Sequence, residues 1–71
     1  MKLHYYPETD SLYVELKSDL SAETRAVAEG VNVDLDDKGQ VVGFDIDFAS
    51  RRLDLSILET VALPFRATNA A

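Results

Sequence analysis

The 71-residue chain contains no cysteine, no tryptophan and a single histidine, His4. Without thiols it forms neither disulfides nor thiolate metal sites, and one imidazole is too few for a histidine-rich metal cluster. Its three glycines are isolated, so a glycine-rich phosphate loop is also missing. The sequence therefore predicts no bound metal, no cofactor and no catalytic residues.

Long apolar runs are missing as well. No stretch approaches the roughly 18 apolar residues of a membrane-spanning helix. Residues 1–5 have no apolar run of the kind that begins a signal peptide. These features predict a cytoplasmic protein with no membrane partner.

Basic residues are the minority, with 7 lysines and arginines against 13 aspartates and glutamates and a net charge of −6. Most of the excess falls within residues 29–47, where Lys38 is the one basic side chain. Such a field repels nucleic acid, because nucleic-acid binding depends on neutralising phosphates. It attracts a basic protein partner. Solubility alone explains the same charge, and both interpretations stay open.

The length predicts a single small domain at residues 1–66, followed by a frayed tail at 67–71. One core of this size supplies about 3–5 kcal/mol. Small domains often gain support from disulfides, metals or self-association. Because the first two are excluded here, a homodimer is an open alternative.

Apolar residues alternate with a period of two residues, which predicts strands. Glu29 falls on the inward face of the third segment beside Gly30, so a bulge or bend is expected there. The four predicted strands cover residues 1–6, 11–17, 24–35 and 40–47.

The first two strands form a predicted hairpin with a four-residue loop. Matching their apolar faces pairs Tyr6 with Ser11 and His4 with Tyr13, since a slip of one residue would move every apolar side chain to water.

The residues after the fourth strand are predicted to be helical. Asp47 is a suitable N-cap for a helix that starts at Phe48 or Ala49. Ser56–Glu59 has the form of a capping box, so a second short helix could run to about Ala62.

The competing interpretation takes residues 53, 55 and 57 as strand. With the helical alternative, the fold class is α+β: a four-stranded antiparallel β-meander in the order 1-2-3-4, with a short C-terminal helical segment covering its apolar face. The side chains predicted to provide that cover are Phe48, Leu53, Leu55, Leu58, Val61 and Leu63.

The segment VDLDDKGQVVGFDID has the spacing of a calcium loop. Asp34, Asp36, Gly39 and Asp45 stand at loop positions 1, 3, 6 and 12, but Lys38 at position 5 points an ammonium at the ion. The flanking segments alternate like strands, whereas this kind of loop connects helices.

Strand register argues further against a calcium site. Aligning apolar faces pairs Val33 with Val42 and Asp34 with Val41, which leaves residues 36–39 as the turn. Asp45 then lies about 13 Å along the strand from Val41. Carboxylates that share one calcium ion must each lie within about 2.6 Å of it, so no metal site is predicted.

Two sets of residues are candidate sites. The first is an acidic face for a basic protein partner, made of Asp34, Asp36, Asp37, Asp45 and Asp47. The second is the cross-strand pair of His4 and Tyr13, which with a carboxylate would suit a small hydrolase-like or ligand-binding enzyme.

The stretches YYPETDSLYVEL and GVNVDLDDKGQVVGFDIDFAS resemble the small bacterial and archaeal proteins grouped as domain of unknown function 2283. The resemblance covers about residues 2–55. It includes a turn with Asp10, a later Gly30-Val31, an acidic turn with glycine, and Ala49-Ser50. The resemblance implies no catalytic residues or cofactor. It suggests an antitoxin-like protein that binds a small basic toxin.

The function predicted from these observations is that of a non-enzymatic protein-interaction module, with a small basic protein as its partner. A small hydrolase-like or ligand-binding enzyme and a structural homodimer without ligand are the alternatives.

Overall fold

The computed structural model describes residues 1–64 of the 71-residue chain. It contains one antiparallel sheet of five strands and one short helix. The predicted α+β class agrees with this coarse description, but the predicted four strands and their order 1-2-3-4 are wrong. The elements are β1 (Lys2–Tyr6), β2 (Ser11–Glu15), β3 (Glu23–Ala28), β4 (Val31–Leu35), β5 (Val41–Ile46) and α1 (Ala49–Arg52).

The strand order across the sheet is β1-β2-β5-β4-β3. The sheet is therefore a hairpin, β1–β2, joined to a three-stranded meander, β3–β4–β5, by the pairing of β2 with β5. The predicted domain end at residue 66 and the predicted frayed tail at 67–71 fall outside the described residues.

The register predicted for the first hairpin is confirmed. Tyr6 lies opposite Ser11 and His4 lies opposite Tyr13. Asp10 closes the turn with a φ of 54°, a left-handed conformation that aspartate tolerates better than most residues. The apolar pattern was sufficient here because one face must be buried.

The fifth strand arises at Gly30, where the chain reverses completely. Ala28 lies opposite Val31, so Glu29 and Gly30 form a two-residue turn. Gly30 has a φ of 74°, which glycine adopts without the clash that other residues meet. The predicted long strand over residues 24–35 is therefore wrong, and its expected bend is a hairpin.

The register predicted between the last two strands is wrong by two residues. Val33 lies opposite Phe44, not Val42. One residue of the shift comes from a turn of five residues, since Leu35 lies opposite Val41. The other comes from a bulge next to Asp34. Neither a longer turn nor a bulge changes the apolar pattern that set the prediction.

The backbone N–H groups at the start of helix α1 donate hydrogen bonds to Asp10 of the first hairpin and not to Asp47. The backbone N–H of Ala49 donates to Asp10 O at 2.8 Å, and the N–H of Ser50 donates to the Asp10 carboxylate at 3.1 Å. The Asp47 N–H instead donates to Gly30 O at 2.8 Å. The predicted Asp47 cap is wrong because a distant aspartate satisfies the free N–H groups of the first turn.

The two faces of the sheet differ in polarity. Leu3, Val14, Phe44 and Val33 lie opposite one another in successive strands and so share one face. Cover over this face is uneven, since Val33 is 5% exposed and Leu3 is 47% exposed. We call this surface the apolar face.

The C-terminal segment, residues 53–64, adds little burial. Within residues 1–64 the structure has no second helix, so the helix predicted at 56–62 is wrong and so is its strand alternative. The side chains predicted to cover the sheet expose between 40% and 81% of their surface: Phe48, Leu53, Leu55, Leu58, Val61 and Leu63. Residues 1–64 also include no helix with the length and apolarity that crossing a membrane requires.

Replacing Gly30 by alanine tests the reversal that creates β3. A non-glycine residue at this φ costs about 1–2 kcal/mol, and an added Cβ would lie 2.7 Å from Arg52 Nη2. We expect G30A to lower the free energy of unfolding, measured by urea denaturation, by at least about 1 kcal/mol.

Gly39→Ala is the matched control, because Gly39 has a φ of 77° but no atom within 4 Å of an added Cβ. G39A should carry the backbone cost alone, so G30A should be destabilised at least as much. A G30A chain as stable as the unmodified protein would contradict the hairpin.

Candidate functional site: an acidic face around Tyr13

The second face of the sheet carries two rows of polar side chains. Because residues opposite one another in a ladder point to the same side, the observed registers define the rows directly. We call this surface the acidic face. One row contains His4, Tyr13, Asp45 and Asn32, and the other contains Lys2, Glu15, Gly43, Asp34 and Thr24.

Tyr13 crosses from one row to the other. It starts on β2, passes over Gly43 of β5 and donates its hydroxyl to Asp34 Oδ2 on β4 at 2.8 Å. A Cβ at Gly43 would lie 2.7 Å from Tyr13 Cζ and closer still to its hydroxyl. Only glycine leaves room for this crossing, which is the close-approach role of a glycine within a strand.

Asp34 has a hydrogen-bond donor at each carboxylate oxygen. Besides Tyr13, the Thr24 hydroxyl of β3 donates to Asp34 Oδ1 at 2.6 Å. The residue thereby links β2, β3 and β4 across the face. Both donors are neutral hydroxyl groups, so they bring no positive charge to Asp34.

Tyr13 is held as a neutral phenol. Partial burial, followed by the hydrogen bond to Asp34 and the nearby carboxylates, raises the pKa of Tyr13 to about 12. Glu15 and Asp45 are among those carboxylates. At neutral pH the group therefore acts as a hydrogen-bond donor and not as a base.

Asp45 lies in surroundings that disfavour its ionised form. Partial burial and the negative charges of Asp47 and Asp34 raise its pKa, while the Asn32 side chain opposite acts weakly the other way. A carboxyl group whose pKa is raised in this way is less stable ionised in the fold than in water. The acidic face thus holds negative charge that its own residues do not neutralise.

The predicted acidic set divides into two places. Asp34 and Asp47 each lie close enough to Asp45 to raise its pKa. Asp37 lies in the β4–β5 turn and is exposed, and Asp36 begins that turn and is buried. The structure therefore brings together three of the five predicted aspartates.

The carboxylate oxygens of Asp36 already accept hydrogen bonds from the β4–β5 turn and contact Lys17. Its Oδ1 accepts the backbone N–H groups of Gln40 at 2.8 Å and Lys38 at 2.9 Å, and its Oδ2 lies 3.3 Å from Lys17 Nζ. These contacts, the Gln40 N–H first, lower the pKa of Asp36. Its role is to shape the turn, so it is a poor candidate for partner binding.

The predicted pairing of Asp34 with Val41, which separated Asp34 from Asp45 and so excluded a shared calcium ion, is wrong. Asp34 lies opposite Gly43, two residues from Asp45, so the two carboxylates are diagonal neighbours with Cα atoms about 7–8 Å apart and not 13 Å along the strand. Among residues 1–64, no group of three or more histidine, aspartate or glutamate side chains could hold a metal ion.

The predicted His4–Tyr13 pair lies at the β1 side of the acidic face, and its register is confirmed. A surface cleft of about 520 Å³ lies elsewhere, between residues 19–22 and the β4–β5 turn. Neither member of the pair lines it. The pair thus faces an open sheet.

Sequence reasoning missed Glu15 and Thr24 as members of the acidic face. Glu15 alternates in phase with Tyr13, so the period of two residues was a usable signal for it. The glycine at 43 within a strand signalled a close approach, but not which side chain would approach. Thr24 reaches the acidic face only because β3 pairs with β4, and the sequence did not predict that pairing.

Replacing Tyr13 by phenylalanine tests the crossing. The change removes a hydrogen bond to a carboxylate, so we expect the free energy of unfolding at pH 7 to fall by about 1 kcal/mol. The pKa of Tyr13 is raised from about 10 in the unfolded chain to about 12 in the fold. Its stabilising contribution is therefore complete below pH 10 and lost between pH 10 and 12.

Urea denaturation of the unmodified protein and of Y13F, at pH 7 and at several values above pH 10, measures both effects, and the phenolate absorbance that Y13F lacks reports the late titration of Tyr13 directly. Tyr6→Phe is the matched control because Tyr6 is 52% exposed at the edge of the sheet. Equal losses in Y13F and Y6F would show that the Tyr13 hydroxyl contributes nothing specific.

Comparison with known proteins returns one family. No curated protein and no solved structure matches the chain. The sequence profile of the family described as "Protein of unknown function (DUF2283)" matches residues 2–50, which include all five strands and the start of α1. The match spans more than half of the chain, and the chain belongs to this family.

Proposed function

We propose that this protein is a small interaction module that binds a basic protein on its acidic face. The observation that carries the proposal is the position of Asp45 beside Asp34 and Asp47, with a raised pKa and no neutralising cation among its influences. A lysine or arginine from a partner would supply the missing charge and form charge-assisted hydrogen bonds.

The salt bridges of the described residues lie outside the surroundings of Asp45. Lys17 contacts both Asp19 and Asp36 at 3.3 Å, and Arg25 contacts Glu23 at 2.9 Å. Asp34 and Asp45 differ from these pairs, because Asp34 accepts hydrogen bonds from two hydroxyl groups and Asp45 lies near two other carboxylates. Such a surface raises the encounter rate with a basic partner.

A cost in stability supports a binding role over solubility alone. A carboxylate anywhere on the surface would serve solubility. Asp45 instead lies where its ionised form is disfavoured by partial burial and by two neighbouring charges. Residues that disfavour folding locally are often retained for function.

Binding is better supported than catalysis. The Tyr13 hydroxyl donates to Asp34 and stays protonated at neutral pH, with a pKa of about 12, so it does not serve as a general base there. The partner we propose is a small basic protein, such as a toxin for which this chain would be the antitoxin.

Asp45→Asn is the sharpest test of the acidic face. The variant removes one negative charge while keeping size and an acceptor oxygen. In a pull-down from cells of the source organism, we expect the immobilised protein to recover a basic protein, and D45N to recover several-fold less. Recovery should fall between about 0.05 M and about 0.3 M salt, because screening weakens attraction between exposed charges.

Asp37→Asn is the matched control, since it removes the same charge from the exposed β4–β5 turn. It should leave recovery nearly unchanged. Urea denaturation should show D45N at least as stable as the unmodified protein at pH 7, so that weaker binding is not a folding defect. Failure to recover a basic protein at either salt, or equal losses in the two variants, would rule the proposal out.

A further inference from the structure

Large apolar side chains are exposed on β1 and in the C-terminal segment. On β1, Leu3 and Tyr5 are 47% and 44% exposed at positions belonging to the apolar face. The C-terminal segment adds Ile57 at 66%, Leu58 at 77% and Val61 at 81%. Exposed apolar side chains in this number are of the kind that marks an interface.

The apolar face carries almost no free charge. Among its paired strand residues the charged members are Arg25 and Glu23, opposite Val33 and Leu35. They neutralise each other, since Arg25 Nε and Nη2 donate to the two Glu23 carboxylate oxygens at 2.9 and 3.1 Å. The Tyr5 hydroxyl, on the same face, already donates to Asp10 at 2.8 Å. No charge on this face requires a partner of opposite sign.

The accessible area points to a large missing cover. The chain exposes 5901 Å², whereas a compact monomer of 7.9 kDa exposes about 4,400 Å². Even if the seven residues after Pro64 accounted for as much as about 1,100 Å², residues 1–64 would exceed their expected area by roughly 700 Å². A standard protein interface covers about 800 Å² on each partner.

We propose that a second copy of this chain covers the apolar face. Two copies would stack these faces about 10 Å apart, as sheets do in a sandwich, with the apolar side chains of their C-terminal segments at the rim of the interface. The paired strand residues of the apolar face are neutral together, which suits a two-fold interface, where the same patch is used twice. Stacking in this way turns both acidic faces outward, so each keeps its charge away from the other and free for a basic partner.

Sedimentation equilibrium of the full chain tests the dimer directly, over about 1 to 300 μM protein because dimerisation depends on concentration. We expect a dimer at the upper end of this range. L3E and L58E each place a charge in the interface, and each should raise the dimer dissociation constant at least about tenfold.

Leu20→Glu is the matched control, because Leu20 is 89% exposed in the connection between β2 and β3, away from both faces. It should leave the dissociation constant unchanged. In the unmodified protein, isotope-filtered NOEs between copies should appear at the methyl groups of Leu3 and Leu58, a readout that does not depend on any variant folding.

A chain that stays monomeric throughout this range would overturn the proposal. A dimer weakened equally by L20E and L3E, or one whose intermolecular NOEs map to the acidic face, would overturn it as well.

Discussion

The pairing of β2 with β5 is the constraint on which the other features depend. These strands are far apart in the sequence, and their ladder joins the first hairpin to the β3–β4–β5 meander. Two groups of contacts secure it at different points. Tyr13 reaches across Gly43 to Asp34 on one face, and Asp10 binds Ser50 Oγ at 2.7 Å next to the hairpin turn. Each is long-range, so neither forms until the sheet is assembled.

The contact of Asp10 with helix α1 explains why the family resemblance includes both Asp10 and Ala49-Ser50. Asp10 and Ala49-Ser50 lie about 40 residues apart, yet Asp10 accepts the Ser50 hydroxyl, the Ser50 N–H and the Ala49 N–H. Ala49 is fully buried at this junction. The hydrogen bonds from Ser50 and then from Tyr5 lower the pKa of Asp10. Shared residues that seemed unrelated in the sequence are thus parts of one structural contact, which explains them without invoking a catalytic site.

Local patterns predicted local structure well and long-range structure poorly. The β1–β2 register followed from apolar alternation, because a four-residue turn left only one way to bury the face. The β4–β5 register failed because a longer turn built by Asp36 and a bulge near Asp34 each added one residue without altering that alternation. Gly30 was recognised as a break, but whether a glycine bends or reverses a strand depends on what the next segment pairs with. The prediction of the candidate site failed for the same reason. It grouped aspartates that are close in the sequence, and so it included Asp36, which shapes a turn. It left out Glu15, which lies on another strand but belongs to the acidic face.

The aspartates have distinct physical roles: Asp10 and Asp36 accept hydrogen bonds that favour their ionised forms, whereas Asp45 lies in negative surroundings. An NMR titration that follows the side-chain carboxyl carbons of all aspartates from acid to neutral pH distinguishes these roles. We expect Asp45 to titrate above the usual value of 3.8, and Asp10 and Asp36 to titrate below it. If Asp45 titrated at or below the pH at which Asp10 and Asp36 do, its charge would be compensated within the chain, and the acidic face would offer nothing to a basic partner.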